Sequence, residues 1–538
     1  MKILAVIPAR AGSKGIPNKN IRLVNGKPLI YYSINNAKHS KYITDIVVST
    51  DCPEIFIIAN QMGVRLHKRD ERLCGDSVTL DAVIYDAVQS SNIQYDYVVT
   101  MQPTSPTLKV ETLDAAIEKC IAEKLDTVIS VINKPHLSWT KNADGKIVPN
   151  YHERLNRQYL PPCYMETGAF VISKANVITE KSRIGKSVNV FEISENESVD
   201  IDNFLDLQAV NSILKQYNVA IYVNGNTKRG LGHVYRTLEL ADEFYVKPDI
   251  YYDVNQTDKK VFGTTTHNLI GVNGIGELYA ALSKKKYAVI INDILSTSID
   301  YMIALRQTNP NCKIISFEDD GEGVNEADLV FNALFNDSKG KPNVYSGEQY
   351  YIAPKIFMFY EPIKIKENVE SVLITFGGAD PQNYTDRLLR IISEDDKYRK
   401  YHFCVVLGKA KNNIEQLMKY NDIQNIEVMY DIKNMPEVIS KCDMAVTSRG
   451  RTVYELGILG VPSIVMSQNE REQQHGFACH ENGYNYIGLN PSDNIIKSNL
   501  DMYIGLSAAD RQSYQDMMLK HDLKSGRQKV MNLINSLV

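Results

Sequence analysis

Residues 2–20 read KILAVIPARAGSKGIPNKN and set the architecture of the first part of the chain. An apolar run, Ile3–Pro8, leads directly into a loop with glycines at positions 12 and 15 and basic side chains at positions 10, 14 and 19. The run predicts a buried strand, and the glycines permit a tight turn whose backbone N–H groups point inward. A strand followed by such a loop is typical of α/β folds that hold a phosphate chain at the strand's carboxyl end.

A bare Gly-x-x-Gly turn is more often just a turn with solvated lysines. Here three basic residues and a proline fall within twelve residues, directly after the first strand, which favours binding of a triphosphate. The Gly-Lys-Ser/Thr ending of a Walker A loop is absent, so a P-loop is not indicated. The loop therefore predicts these nucleotide contacts: Ala9, Arg10, Gly12, Ser13, Lys14, Lys19 and Asn20.

The rest of the 538 residues shows the same alternation of short apolar runs and longer amphipathic stretches, which is typical of parallel sheets covered by helices. The rhythm changes near Tyr159–Lys174 to a Pro-rich loop and a predicted strand pair. It restarts at Val219 and, after a linker, at Ser371. We expect an α/β protein with one Rossmann-like domain at residues 1–217, followed by a module of two Rossmann-like halves at 218–360 and 361–538.

Composition excludes several classes of function. Lys and Arg number 60 against 64 Asp and Glu, so no broad positive field is available to hold a nucleic acid. No apolar run approaches the roughly 20 residues needed to span a bilayer. The eight cysteines are scattered without Cys-x-x-Cys or Cys/His spacing, so we expect neither structural zinc nor disulfides. A soluble, cytoplasmic protein without nucleic-acid or membrane partners is predicted.

Asp200 and Asp202 form a candidate metal site. In an extended segment, residues two apart face the same way, so both carboxylates can reach one hard cation such as Mg²⁺. The alternative is that one of them caps a helix that starts near Asn203. Together with a triphosphate loop the metal is favoured, and one aspartate can serve both roles.

The opening loop resembles the N-terminal signature of CMP-N-acetylneuraminate synthetases, the sugar-acid cytidylyltransferases. Further pieces occur in the family's order. They are KRDERLCGDSVT with Arg69, Asp76 and Thr79; QPTSP at 102–106; Arg157-Gln158 with YMETGAF at 164–170; and Asp200-Ile201-Asp202. Three places depart from the family pattern: Ala11 replaces a usual Gly, Thr167 a common Asn, and Thr107-Leu108-Lys109 the usual Leu-Arg.

The resemblance implies a Rossmann-like nucleotidyltransferase domain that transfers CMP from CTP to an acidic nine-carbon sugar, with Mg²⁺ and as a homodimer. Arg10 and Lys19 would act in catalysis, and Asp200 and Asp202 would hold the metal. The implied nucleotide contacts are Arg69, Thr79 and Gln102. The implied sugar contacts are Gln102, Thr104, Ser105, Arg157, Tyr164 and Gly168.

The second module has its own glycine turn, TKRGLGHVYR at 227–236, after the run Val219–Val223. His233 stands at the predicted helix start, where the helix dipole disfavours imidazolium, so a neutral proton acceptor is reasonable. The alternative is a structural histidine at a turn. Two later loops, 377–381 and 448–455, also follow predicted strands, where open α/β sheets bind ligands. They offer backbone donors at Gly377, Gly450 and Thr452 to a diphosphate, and Glu455 to a ribose.

Together these loops resemble the UDP-sugar hydrolases of pseudaminic acid synthesis, which have the GT-B architecture. The resemblance implies a UDP-linked amino-deoxy sugar as substrate and His233 as the group that assists water attack. Gly232 would contact the nucleotide, and Asn469 and Gln473 would contact the sugar. Arg451 and the insert Glu470-Arg471-Glu472 depart from the family. A UDP-dependent glycosyltransferase and a non-catalytic nucleotide-sugar-binding scaffold remain as alternatives for this GT-B-like module.

Overall fold

A computed structural model describes residues 1–12, 15–75, 77–225, 231–334, 341–432 and 434–538. The chain divides into two units, Met1–Gln216 and Tyr217–Val538. In the described segments, no helix combines the length and the apolar character needed to cross a bilayer.

The first unit is built on a seven-stranded sheet in the order β11-β7-β10-β6-β1-β4-β5. Strand β1 lies between two parallel neighbours, whereas β10 runs antiparallel to both β6 and β7. Two short hairpins, β2–β3 and β8–β9, stand outside this sheet. The strands are β1 (Ile3–Pro8), β2 (Leu23–Val24), β3 (Lys27–Pro28), β4 (Asp45–Thr50), β5 (Arg65–Lys68), β6 (Tyr97–Met101), β7 (Thr127–Asn133), β8 (Trp139–Lys141), β9 (Ile147–Pro149), β10 (Tyr164–Lys174) and β11 (Val188–Glu192).

Helices cover both faces of this sheet, as the alternating side chains of β1 show. Ile3, Ala5 and Ile7 pack in one core cluster, while Leu4 and Val6 pack in another on the opposite face. The predicted strand pair near Tyr159–Lys174 is wrong, because a single long strand, β10, crosses between its two neighbours with a register shift. The helices are α1 (Leu29–His39), α2 (Pro53–Gln61), α3 (Leu80–Gln89), α4 (Val110–Ala122) and α5 (Phe204–Leu214).

The second unit begins with a parallel seven-stranded sheet in the order β14-β13-β12-β15-β16-β17-β18. The first strand is central, and the chain winds outward on one side and then on the other, as in a doubly wound fold. The strands are β12 (Val219–Val223), β13 (Asp249–Asp253), β14 (Asn268–Val272), β15 (Val289–Asp293), β16 (Lys313–Phe317), β17 (Leu329–Asn332) and β18 (Val344–Ser346). The helices are α6 (Gly232–Ala241), α7 (Gly274–Leu282) and α8 (Ile299–Thr308).

A six-stranded parallel sheet follows in the order β21-β20-β19-β22-β23-β24, which repeats the same winding. The expected α/β fold with two Rossmann-like halves is thereby confirmed. The strands are β19 (Ser371–Thr375), β20 (His402–Leu407), β21 (Ile426–Tyr430), β22 (Met444–Ser448), β23 (Ser463–Ser467) and β24 (Tyr484–Leu489). The helices are α9 (Tyr384–Glu394), α10 (Ile414–Met418), α11 (Met435–Ile439), α12 (Thr452–Leu459), α13 (Glu470–Gln473), α14 (Asp493–Ile504), α15 (Ala508–Leu519) and α16 (Gly526–Ser536).

The last helix returns to the first half of this unit. Val530 and Ile534 of α16 are buried in the same core cluster as Val219 and Ile221 of β12. Arg527, at the start of α16, donates hydrogen bonds to the backbone carbonyl of Glu239 in α6 at 2.8 Å. The first half therefore obtains part of its core from the end of the chain.

Candidate active sites

The loop after β1 lies directly against the aspartate pair near residue 200. A Cβ atom at Gly15 would stand 2.3 Å from the carbonyl oxygen of Asp202, so only glycine allows this approach. Lys19 Nζ donates a 2.7 Å hydrogen bond to the carbonyl of Ile201 and lies 3.4 Å from Asp202 Oδ1. Two segments some 180 residues apart thus form one side of a single site.

Neither member of the aspartate pair is used as a helix cap. Helix α5 is capped by Asn203, whose Oδ1 accepts hydrogen bonds from the N–H groups of Leu205 and Asp206 at 2.8 and 3.1 Å. Asp206 in turn accepts from the backbone N–H of Asn203 at 3.0 Å, which completes a capping box. The carboxylates of Asp200 and Asp202 are therefore left for a ligand.

Asp200 is the more buried of the two. Its Oδ1 is buried and has no hydrogen-bond partner among the described residues. Burial raises the pKa of Asp200, and the Asp202 carboxylate adds to this rise, while Thr104 and Lys19 oppose it. Two carboxylates, one with an unsatisfied buried oxygen, are a donor set that fits a hard divalent cation such as Mg²⁺.

The segment QPTSP at 102–106 and Gly168 of β10 complete this side of the site. Gly168 has a φ of +72°, and a Cβ there would stand 2.9 Å from Gln102 Nε2 and 3.3 Å from Asp200 Oδ2. The N–H of Ile201 donates to the carbonyl of Thr104 at 2.9 Å. Glycine at 168 therefore lets the Gln102 amide and the Asp200 carboxylate approach the same point.

The opposite wall carries two arginines. Arg10 Nη1 donates to the carbonyl of Cys74 at 3.2 Å, and Asn20 donates to the carbonyl of Arg10 at 3.1 Å. Arg69 is buried beneath them and donates to the carbonyl of Ser49 at 2.9 Å. Burial lowers the pKa of Arg69, and the nearby Arg10 charge contributes in the same direction. Arg10 and Arg69 together concentrate positive charge beside the loop.

Other predicted contacts lie around or away from this centre. Ser105 is buried behind the QPTSP turn, and Thr79 is exposed at the start of α3. Arg157 is largely exposed and lies 3.5 Å from Glu195. It lines an open cavity of about 440 Å³ together with Asn133, Gln158 and Pro162. Tyr164 pairs with Asn133 in the strand register next to this cavity.

His233 in the second unit belongs to a buried network of charges. It stands in the first turn of α6, and its Nδ1 lies 2.5 Å from Oδ1 of Asp293, the last residue of β15. Arg236 donates from Nε to Asp293 Oδ2 at 2.9 Å and from Nη1 to Glu318 Oε1 at 2.9 Å. The histidine is therefore fixed by a carboxylate that is itself fixed by an arginine.

Burial favours the neutral form of the His233 imidazole. Burial lowers the pKa of His233, against the opposing effect of Asp293. Burial alone would raise the pKa of Asp293, but Arg236 and His233 outweigh it and hold that pKa well below its usual range. With the carboxylate accepting at Nδ1, the proton is assigned to Nδ1, and Nε2 is the atom that can accept a proton.

The loop after β22 faces α6 from the other half. Arg451 donates a hydrogen bond to the carbonyl of Gly232. Burial lowers the pKa of Arg451 to about 10, with the Arg236 charge adding to the effect. Burial likewise raises the pKa of Glu455 to about 7 and that of Glu472, beside Gly450, to about 7. Buried cations and carboxylates thus meet where the two halves approach each other.

The remaining predicted positions have structural partners. Gly377 has a φ of +71°. Its carbonyl oxygen lies close to Gly408, and a Cβ atom on Gly408 would stand 2.2 Å from that oxygen. Asn469 caps α13 by accepting from the N–H of Glu472 at 3.0 Å. Gln473 is exposed at the end of the same helix, and Thr452 begins α12.

Comparison with known proteins identifies the family to which the first unit is similar. Residues 4–224 match the family model described as cytidylyltransferase. The chain is 36% identical over 220 residues to CMP-N,N'-diacetyllegionaminic acid synthase of Legionella pneumophila, covering 38% of this chain and 93% of that protein. It is 33% identical over 225 residues to pseudaminic acid cytidylyltransferase of Campylobacter jejuni, covering 40% and 97%. The chain belongs to the cytidylyltransferase family.

The part beyond the cytidylyltransferase unit has a different relative. The chain is 24% identical over 268 residues to the spore coat polysaccharide biosynthesis protein SpsG of Bacillus subtilis, covering 47% of this chain and 78% of that protein. The resemblances of both parts of the chain, read from its motifs, are thereby confirmed.

The structure of the cytidylyltransferase unit brings together a central group of the predicted residues and separates others. Lys19, Gln102, Gly168, Asp200 and Asp202 are joined by the contacts above, whereas Arg157 lines the open cavity and Tyr164 is the register partner of Asn133 beside it. Several predicted positions lie outside the described residues: Ser13, Lys14, Asp76 and the segment 227–230.

Asp293 and Glu318 of the second unit are site residues that sequence reasoning missed. Each stands at the carboxyl end of an apolar strand, Asp293 as the last residue of β15 and Glu318 directly after β16. An acidic residue that ends an otherwise apolar run is the signal that could have identified them, because ligands bind at this edge of a parallel sheet.

Proposed function

We propose that the cytidylyltransferase unit transfers CMP from CTP to an acidic nine-carbon sugar of the nonulosonic class. The observation that carries this is the contact of Lys19 with Ile201 and Asp202, which joins a phosphate-type loop to a carboxylate pair. The anomeric hydroxyl of the sugar loses its proton to solvent, and its oxygen forms a bond to the α-phosphorus of CTP. The bond from that phosphorus to the β-phosphate oxygen breaks, and pyrophosphate leaves.

The protein's own residues position the reactants and offset charge. Arg10 and Lys19 stand on either side of the loop and offset charge on the leaving pyrophosphate. Asp200 and Asp202 are the residues that would hold Mg²⁺, which would neutralise phosphate charge and make the attacking hydroxyl more acidic. Gln102 and Gly168 line the point between loop and carboxylates, where the two substrates must meet.

The acceptor class rests on two observations. The names of two relatives, pseudaminic acid cytidylyltransferase and CMP-N,N'-diacetyllegionaminic acid synthase, both refer to acidic sugars. Arg157, exposed at the rim of an open cavity, offers a guanidinium fork that matches a carboxylate bidentately.

A pyrophosphate-release screen tests this proposal. CTP is supplied with a panel of nonulosonic and 3-deoxy sugar acids, with and without Mg²⁺. We expect Mg²⁺-dependent pyrophosphate and a CMP-sugar with at least one nine-carbon acid. The proposal fails if no acid in the panel supports CTP consumption by folded protein.

We propose further that the second unit hydrolyses a UDP-linked amino-deoxy sugar. The pairing of buried His233 with Asp293 supports this, as does the similarity to SpsG. A water oxygen forms a bond to the anomeric carbon while its proton passes to His233 Nε2, and the bond from that carbon to the UDP oxygen breaks. Backbone donors at Gly377 and Gly450 and the carboxylate of Glu455 are the proposed contacts for the UDP group.

Two other functions of this unit are distinguished by one experiment. Incubation with a UDP-sugar alone is expected to release free UDP. Release that requires an added sugar acceptor would instead indicate a glycosyltransferase, and binding without turnover would indicate a scaffold. The measured quantity is UDP formed per chain, with and without acceptor.

The first unit is also proposed to form a homodimer. The hairpin β8–β9 exposes Trp139 and Ile147, and β10 exposes Tyr164 and Met165 at its start. Large apolar side chains grouped in this way are typical of protein–protein contacts. A second copy of the chain is the proposed partner.

A further inference from the structure

A group of ligand-type side chains lies on β20 and β21 and shares no residue with either candidate active site. His402 and Cys404 belong to β20, and Glu427 belongs to β21. One nitrogen, one sulfur and one oxygen of these residues all lie within 4.8 Å of one another. His402 Nε2 and Glu427 Oε2 are 3.4 Å apart.

The strand geometry explains why these three side chains meet. His402 and Cys404 are two apart and therefore share a face of the sheet. Glu427 is the register partner of Cys404, so its side chain stands on that same face. The intervening residue, Phe403, points to the opposite core together with Val405.

Cys404 is the buried member of this group, whereas His402 and Glu427 are exposed. Its thiol is in the reduced form. Because a metal ion binds the thiolate, binding at this place would release the thiol proton.

We propose that His402, Cys404 and Glu427 bind one Zn²⁺ ion. Tetrahedral zinc with nitrogen and oxygen ligands at about 2.0–2.2 Å places those two atoms roughly 3.3 Å apart. The observed separation of 3.4 Å between His402 and Glu427 agrees with this. A sulfur together with an imidazole favours zinc over magnesium or calcium, which prefer oxygen ligands.

The position in the fold indicates a structural ion. His402 begins β20, so the group lies towards the amino end of that strand, whereas the loops proposed to bind UDP follow the carboxyl ends of β19 and β22. A water molecule would fill the fourth position of the ion. The ion would tie β21, an edge strand of its sheet, to β20.

Sequence spacing alone argued against zinc, and the structure supplies the reason. The ligands come from two neighbouring strands, so no Cys-x-x-Cys pair is formed. The i, i+2 spacing of His402 and Cys404 suits a strand and is not one of the usual zinc-finger spacings.

Cobalt titration of the full-length chain tests the site. The protein is stripped with a chelator under reducing conditions and titrated with Co²⁺, a spectroscopic stand-in for zinc. We expect one ion per chain, with a thiolate-to-cobalt charge-transfer band in the near ultraviolet and the visible bands of a tetrahedral ion. Zn²⁺ should displace the cobalt and raise the thermal midpoint of the second unit, since it binds only the folded form.

Amino-acid substitutions test which side chains bind the metal ion. Cys404→Ser should abolish the charge-transfer band or weaken it strongly, and Cys312→Ser, a buried cysteine of the other half, should leave it unchanged. His402 and Glu427 are exposed, so His402→Ala and Glu427→Gln should fold normally and weaken cobalt binding by more than about tenfold.

Two results would overturn the proposal. The first is the absence of stoichiometric cobalt or zinc binding by the reduced protein. The second is a cobalt spectrum that is the same in the Cys404→Ser, His402→Ala and wild-type proteins.

Discussion

Lys19 donates a hydrogen bond of 2.7 Å to the carbonyl oxygen of Ile201, 182 residues further along the chain. The lysine side chain is only 15% exposed, so its ammonium group is held at this place and is not a freely moving surface charge. Any ligand bound by the opening loop therefore lies next to the aspartate pair, and changes in either segment should affect the same reaction.

Gly15→Ala should reduce CMP transfer by about a hundredfold, because the added methyl group would collide with the Asp202 carbonyl and shift the loop. Pyrophosphate release under saturating CTP measures the effect. Gly276→Ala is the matched control, since a Cβ there meets no atom within 4 Å. Equal activity of the two variants would show that the close approach of loop and Asp202 is not needed for the reaction.

The Asp200→Asn substitution should lower activity without lowering the stability of the protein. CMP transfer should fall by at least about a hundredfold, which is the size of effect expected when a charge-stabilising group is lost. The thermal midpoint should stay level or rise, because burial already raises the pKa of this carboxyl and makes its ionised form costly. Calorimetry and pyrophosphate release are compared with those of Asp144→Asn, an exposed hairpin residue. A midpoint that falls together with activity would contradict this account.

His233→Ala should abolish UDP release while leaving CMP transfer intact, since the two sites belong to different units. A loss of about 10²–10⁴-fold is expected for a general base. Both activities are measured on one preparation, with circular dichroism to check folding. Loss of both activities in a folded protein would refute the assignment of separate sites.

The pH profile of UDP release should remain high below the ordinary histidine pKa. The lowered pKa of His233 keeps the imidazole neutral, and therefore able to accept a proton, to more acidic pH. The acid limb of kcat/KM should thus lie below about 6.5. Because Asp293 is the group that opposes this lowering, Asp293→Asn should move the limb further down and reduce kcat. Asp320→Asn, an exposed neighbour, should do neither. An acid limb at or above 6.5 would count against His233 as the base.

Trp139→Ser combined with Ile147→Ser should convert a dimer to a monomer. Both side chains are more than half exposed in the isolated chain, so their removal should weaken association without disturbing the core. Light scattering distinguishes one chain of 60.8 kDa from two. Leu205→Ser, which removes an equally exposed apolar side chain from α5, should leave the mass unchanged. A wild-type mass of one chain would remove the dimer proposal.

Most strands of the chain could be predicted because each is a short apolar run rich in Val and Ile, bounded by polar turns. In the large sheets, strands β11, β14, β18 and β24 were missed. Gly271 and Gly488 interrupt the patterns of β14 and β24, and all four strands have side chains that are only partly buried. The antiparallel direction of β10 was also missed, because strand direction depends on connections between distant segments and not on local periodicity.

Some of the candidate site residues could likewise be predicted from the sequence, and others could not. Lys19, Asp200 and Asp202 were found because short motifs carry them. Asp293 was not, since its role depends on the approach of α6 to β15, which no local pattern encodes. Asn469 is the opposite case. The sequence suggested that it contacts the sugar, whereas its side chain is hydrogen-bonded as the cap of α13.

The return of α16 to the first half of the second unit affects how the chain is made. On the ribosome, the sheet that starts at Val219 emerges some 300 residues before Val530 and Ile534, which complete its core. Until then, an apolar surface on that sheet is open to solvent and to other nascent chains. Folding of this half therefore waits until α16 has emerged, and a stop codon before residue 526 should direct the product to aggregation or proteolysis.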